Sequence, residues 1–230
     1  MSLAYRSAVR MGSCVAVAAA AACAQQTTAS SGGRMETAVA GGRVEVPVAG
    51  RVTLEQVRRG RLLVITHACA GCHGGGDNPA NPNWLSGART PQDEFVIGPF
   101  KTRPRNITPD NVTGIGRFSM RQIFNALRYG LRPGETPDVE ITSMVPGQGN
   151  FPSQPKYLAP PMPWPEWRHM SDQELWDIAA YLKHGVKPVA HRVADSEGPP
   201  DFWAGAYADT ALVGPYPARP FPTANEEFRP

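Results

Sequence analysis

Residues 69–73 read Cys-Ala-Gly-Cys-His, and no other stretch of the 230-residue chain restricts its folding so tightly. A Cys-x-x-Cys followed at once by His is the pattern in which two thiols add to the vinyl groups of a haem and the adjacent imidazole binds the iron. The spacing has a geometric reason. Two sulfurs must reach two fixed points on one edge of a rigid macrocycle while the imidazole stands beneath the metal, and Ala70 and Gly71 are small enough for the backbone to pass close to the ring. A redox dithiol needs no following histidine. Half of a zinc site would want more thiolates or a paired histidine, and the chain has no second Cys-x-x-Cys. The expected cofactor is one covalent haem c, attached through Cys69 and Cys72, with His73 as an axial iron ligand.

The first 24 residues read as an export signal. Arg6 and Arg10 give a positive start, Val15 to Ala22 an apolar run, and Ala22-Cys23-Ala24 a small-residue cleavage site. The expected location is the periplasm. Ala20-Ala21-Ala22-Cys23 also resembles a lipobox, although its first position lacks the usual Leu. The mature chain therefore starts either at a diacylated, membrane-anchored Cys23 or near Gln25 as a freely secreted protein. The apolar run is too short to span a bilayer, and nothing after it approaches 18 uncharged apolar residues, so no transmembrane helix is expected after processing. Without Arg6 and Arg10 the 23 Lys and Arg become 21, against 20 Asp and Glu. That near-neutral balance argues against nucleic acid as a partner.

Residues 25–50 form a leader rich in small and polar residues, with a strand hinted only at Val44 to Val48. Three helices are expected in the domain spanning 51–188. The first begins at Thr53, where Thr53 and Gln56 make a capping-box pattern, and Leu54, Val57, Leu62 and Ile65 share a face. The second begins at Ser119 with Gln122 completing the box and stops at Gly130. The third begins at Ser171 with Glu174 and ends before Gly185. Between and after them the chain is rich in Pro and Gly, and no alternating run is long enough to argue a sheet. The fold class is all-α, with long loops, an insertion over 131–161 and a Pro-rich extension over 189–230. Three short helices bury little by themselves, so the haem is expected to fill the centre.

A second axial ligand is expected just before the last helix, if the chain closes over the haem with its terminal helices packed together. Met162 stands there in Ala159-Pro160-Pro161-Met162-Pro163-Trp164, where prolines restrict the backbone and aim the thioether. Met144 and Met170 are rivals whose ordinary role is core filling. His67, His169, His184 and His191 are further alternatives.

From Arg59 to Pro188 these residues resemble the class I cytochrome c fold, and are similar in particular to the haem domains in cytochrome subunits of periplasmic alcohol and aldose dehydrogenases. The elements carrying the resemblance are Cys69 to His73, Asn106-Ile107-Thr108-Pro109-Asp110, Thr113-Gly114-Ile115-Gly116, Met162-Pro163-Trp164, Met170-Ser171-Asp172 and Ala180-Tyr181-Leu182. The resemblance implies a cytochrome c-like fold, iron held by His73 and Met162, and a haem pocket including Asn106, Ile107, Thr108 and Trp164. Those subunits repeat the haem motif and end in a membrane helix. The single motif and Pro-rich tail here speak against the chain being itself a three-haem subunit.

A His/Met pair fills both axial positions and suits outer-sphere electron transfer rather than catalysis. No nucleophile with a nearby base, carboxylate pair or phosphate loop stands out elsewhere. The function expected is a non-catalytic electron carrier or cytochrome subunit, taking electrons from a periplasmic dehydrogenase toward an oxidase or other cytochrome of a respiratory chain. The alternative is a haem enzyme or small-ligand sensor with a displaceable methionine. Arg58, Arg59, Arg61, Lys101, Arg103 and Arg105 lie near the haem motif or the Asn106 loop in sequence. They are read as a docking patch or a solvated face, or, for Arg103 and Arg105, as partners of the haem propionates.

Overall fold

The computed structural model describes residues 51–216 and 218–230, so the export signal, Cys23 and the leader with its Val44–Val48 stretch lie outside the described residues. The three helices begin where their capping patterns place them. Helix α1 (Leu54–Thr66) starts with Thr53 Oγ1 accepting from Gln56 N at 3.2 Å and Gln56 Oε1 accepting from Thr53 N at 2.9 Å. The same reciprocal pair opens α3 (Met120–Tyr129) at Ser119 and Gln122, and α5 (Asp172–His184) at Ser171 and Glu174. Gly130 ends α3 in the left-handed region at φ 68°.

Helices α1 and α5 cross with their backbones in contact. A Cβ on Gly60 would lie 1.8 Å from the Asp177 carbonyl oxygen, so only glycine permits the approach. Arg59 closes the crossing with a two-pronged bond to the buried Asp177 carboxylate, Nε to Oδ2 at 2.6 Å and Nη2 to Oδ1 at 3.1 Å. From the loop after the cysteines, Trp84 Nε1 donates to Tyr181 Oη at 3.0 Å and pins that loop to α5.

The rest of the description adds to the all-α reading. Four further short helices appear: α2 (Cys69–His73), α4 (Trp164–Trp167), α6 (Ala204–Ala208) and α7 (Thr210–Val213). Strands β1 (Phe95–Ile97) and β2 (Phe100–Thr102) form an antiparallel hairpin, which corrects the expectation of no sheet. Three-residue strands are too short to show period-two alternation, so the sequence carries no signal for them.

The loops also carry a core of their own. All five tryptophans are buried, and Leu131, Ile141, Phe151, Tyr157 and Trp203 from the Pro- and Gly-rich connections join the same apolar cluster as α1, α3 and α5. These loop side chains therefore add burial that the three helices alone do not supply. Residues 189–230 belong to the same compact unit as the helices. Among the described residues no helix is long and apolar enough to cross a membrane.

Candidate functional site

The cysteine motif begins at a sharp reversal. Ala68 adopts the left-handed conformation at φ 51°, ending α1 and starting α2, and Cys69 to His73 form a little over one helical turn. One turn places His73 on the side reached by residue i+4 from Cys69, with both thiols presented along the same short segment. The following glycines have φ of 90°, 96° and 63°. A Cβ on Gly74 would meet the Gly87 carbonyl at 2.9 Å and one on Gly75 the Trp84 Cα at 2.7 Å, so the chain leaves the motif through a passage without room for side chains. The backbone closes over it, with Gly87 N donating to His73 O at 2.7 Å and Leu85 N to Gly74 O at 2.8 Å.

His73 is buried, and its Nδ1 lies 2.7 Å from the Arg105 carbonyl oxygen. A carbonyl can only accept, so the proton sits on Nδ1 and Nε2 keeps its lone pair. Burial lowers the imidazole pKa despite this bond, which keeps the ring neutral. A neutral imidazole with its outer nitrogen anchored to a carbonyl and its inner nitrogen free is the state required of a metal ligand.

Cys69 is half-buried and Cys72 exposed, and both are free thiols. Burial pushes the Cys69 thiol up to about 11. A redox dithiol works through a depressed thiol pKa, so this environment disfavours the oxidoreductase reading of the motif. Among the described residues no group of three or more His, Cys, Asp or Glu is placed to hold a metal ion. The donor set present fits a haem: two thiols on one turn, one neutral imidazole with Nε2 free, and a glycine-lined exit.

Met162 stands immediately before α4. Its N–H donates to the Ala159 carbonyl at 2.9 Å and its own carbonyl accepts from Trp164 N at 2.8 Å, which makes the Pro-rich segment a tight turn. The side chain is half-buried against the apolar cluster that also receives Cys69, Ala70, Ile107 and Phe118. Trp164 braces this turn from beneath. It is almost fully buried, stacked on Tyr157 at 5.8 Å with an interplanar angle of 6°, and covered by Gly130, where a Cβ would lie 2.2 Å from the indole.

Met144 and Met170 line a groove of about 1260 Å³ between α3, residues 140–146 and the chain's last segment. His67 turns back onto its own helix, with Nδ1 2.8 Å from the Leu63 carbonyl, and His191 Nε2 lies 2.9 Å from the Ala88 carbonyl. His169 and His184 are exposed.

Asn106 and Thr108 are buried and joined to protein groups. Asn106 Nδ2 donates to Thr113 Oγ1 at 3.0 Å, Val189 O at 2.8 Å and His191 O at 3.2 Å, while its Oδ1 accepts from Thr108 N and Oγ1 at 3.0 and 2.7 Å. They form the post around which the loop is built. Ile107 alone of the three presents a half-buried apolar side chain to the core. Sequence reading passed over the Arg105 carbonyl and Gly87, because a backbone acceptor can belong to any residue and leaves no side-chain signal.

The basic residues separate into two kinds. Arg103 binds Glu94, Glu197 and the Asp195 carbonyl, Lys101 pairs with the same two glutamates, and Arg105 and Arg59 also have partners. Arg58 and Arg61 are exposed and form no ion pair with another described residue.

Comparison with known proteins agrees with the geometry. The family model described as Cytochrome c matches residues 57–185. The chain is 32% identical over 144 residues to the gluconate 2-dehydrogenase cytochrome c subunit of Pantoea cypripedii, covering 62% of this chain and 26% of that protein. It is 35% identical over 136 residues to the alcohol dehydrogenase (quinone) cytochrome c subunit of Gluconobacter oxydans, covering 58% and 22%. The match to the fructose dehydrogenase cytochrome subunit of Gluconobacter japonicus is 27% over 134 residues, covering 58% and 22%. The aligned part thus spans about a quarter of the length of these relatives.

Proposed function

This chain belongs to the cytochrome c family, and from that premise we propose that it is a periplasmic monohaem electron carrier, taking electrons from a dehydrogenase of alcohols or sugars toward an oxidase or another cytochrome. The observation that carries the reading is His73, buried beside two free thiols with Nδ1 on a carbonyl and Nε2 unencumbered.

In this reading Cys69 and Cys72 would hold the haem covalently, each thiol supplying the sulfur of one thioether. His73 would hold the iron through the Nε2 lone pair, while its proton stays on Nδ1 against the Arg105 carbonyl. Met162 would be the second protein ligand through its thioether, a donor that would favour ferrous iron more than a second imidazole would. Ile107 and Trp164 shape the pocket, with Asn106 and Thr108 holding its wall. The bound haem supplies a one-electron ferric/ferrous couple. With both residues holding the iron, no site for oxygen or peroxide would remain, as a carrier requires. The donor class rests on the relatives' roles as dehydrogenase subunits. Arg58 and Arg61 remain as cations available to an acidic partner.

The test uses mature protein. Haem that stays with the polypeptide through acid-acetone extraction, together with ferrous protein that takes up no carbon monoxide at neutral pH, supports the proposal. Free haem in the extract would sink the attachment, and rapid carbon monoxide uptake would move the protein to the sensor or enzyme class.

A further inference from the structure

The segment after the family-matched region runs back along the stretch that holds His73. Lys101 and Glu197 exchange backbone hydrogen bonds at 2.8 and 2.9 Å, forming an isolated antiparallel bridge. Arg103 Nη1 donates to the Asp195 carbonyl at 2.6 Å. The Arg105 guanidinium gathers the next turn, with Nη1 donating to the carbonyls of Val193 at 3.3 Å and Ala194 at 3.0 Å, and to Asp195 Oδ1 at 3.5 Å, while Nη2 donates to Ser196 Oγ at 3.3 Å. One residue further on, buried Asn106 takes the Val189 and His191 carbonyls.

Two of these contacts lead directly to the candidate iron ligand. Arg105, clasped by its side chain, offers its carbonyl to His73 Nδ1. Val193, buried, packs on Gly87 so closely that a Cβ there would lie 2.5 Å from its Cγ2, and the Gly87 N–H donates to the His73 carbonyl. Side chain and backbone of His73 therefore both lean on neighbours that the 189–197 segment presses into place.

We propose that residues 189–197 form a strap that positions His73 through Arg105 and Val193, and so sets how strongly its Nε2 donates to the iron. The inference rests on His73 being the ligand. A short Nδ1–H bond to a carbonyl draws the proton outward, raises the basicity of Nε2 and stabilises ferric iron. Loosening the strap lengthens that bond, so the potential rises. Arg105 and Val193 act as positioning residues. No single stitch is strong, since Arg105 is half exposed and a surface pair contributes little. The strap acts by their number and by the buried Asn106 post.

Charge and position predict opposite signs, which makes the test decisive. Removing a cation near the iron lowers the potential, whereas releasing His73 raises it. The experiment compares haem-loaded full-length protein carrying Arg105→Gln, Arg105→Lys or Val193→Ala, reading the potential and the solvent exchange of the His73 Nδ1 proton by NMR. The expected result is a rise in all three, largest for Arg105→Gln. There the ferric/ferrous balance moves on the order of tenfold toward ferrous, about 59 mV for one electron, and proton exchange accelerates. Val193→Ala removes two methyls and no charge, so it should give a smaller rise, and it serves where the arginine variants fail to mature. A potential that falls in Arg105→Gln and holds in the other two would overturn the strap in favour of a charge effect. Loss of thermal stability with potential and exchange both unchanged would overturn it as mere structure. If the wild-type Nδ1 proton shows no haem-induced shift, the ligand assignment has failed rather than the strap.

Discussion

His73 and Met162, the two proposed iron ligands, are held in different ways. His73 is buried, its ring hydrogen-bonded at 2.7 Å and its carbonyl at 2.7 Å, inside a passage lined by glycines. Met162 is half-buried in a turn closed by two backbone bonds, and its thioether rests on packing alone. Hydrogen bonds are directional and fix an orientation, whereas apolar contact is not directional and fixes only an average position. The difference teaches that, in the proposed centre, the His73 side would be the more rigidly oriented and the Met162 side the more adjustable.

The largest effects should separate the two sides outright. His73→Ala is expected to yield protein without a properly ligated haem. Met162→Ala should keep haem covalently attached, lose the sulfur-to-iron charge-transfer band of the ferric state and admit carbon monoxide. Spectra of the two purified variants check this, and equal damage in both would break the comparison. If Met144→Ala or Met170→Ala reproduces the Met162→Ala spectrum, the ligand belongs to the large groove instead.

A paired glycine experiment sharpens it. Gly87 at φ 91° and Gly130 at φ 68° both occupy the left-handed region, where alanine costs about 1–2 kcal/mol. Overpacking adds about 1–3 kcal/mol more. Gly87→Ala would press on Val193 and on Asn106 N, 2.7 Å away, and should shift the potential. Gly130→Ala would drive into Trp164 and should instead raise carbon monoxide uptake. Chemical denaturation with both readouts tells them apart. Arg59→Ala at the α1–α5 crossing should cost about 1–3 kcal/mol by leaving buried Asp177 with fewer donors, while moving neither readout.

The smallest effect is one of acidity. Asp110 accepts from Thr113 N at 2.6 Å and Thr113 Oγ1 at 2.7 Å, and these bonds hold its carboxyl below the ordinary value of 3.8. A depressed folded-state pKa stabilises above the unfolded value, and that contribution disappears as pH falls through the lower folded one. Thr113 also receives Asn106 Nδ2 and His191 N, so acidification should loosen the His73 side first. Amide exchange of Thr113 and Met162, followed from neutral pH to below 3.8, should show the threonine opening earlier.

Much of this architecture was legible in advance. Thr53, Ser119 and Ser171 start helices because a capping box is satisfied within three residues, whatever the rest of the chain does. Gly130 ends α3 where the sequence places its stop, because the left-handed turn there suits glycine. The hairpin at Phe95–Thr102 and the buried anchors of the loops were not legible. Short strands carry no period, and a tryptophan in a Pro-rich run reads the same whether it faces solvent or core.

The sequence by itself determined the helix starts, since caps act over one turn, and it set Cys69, Cys72 and His73 on one short segment by their spacing alone. Only the tertiary structure decided which carbonyl receives the His73 proton and where residues 189–197 lie. Those choices join groups up to 94 positions apart. Several of their acceptors, at Arg105, Val189, His191, Val193, Ala194 and Asp195, are backbone carbonyls, which are the same in every residue and so leave no mark in the order of amino acids.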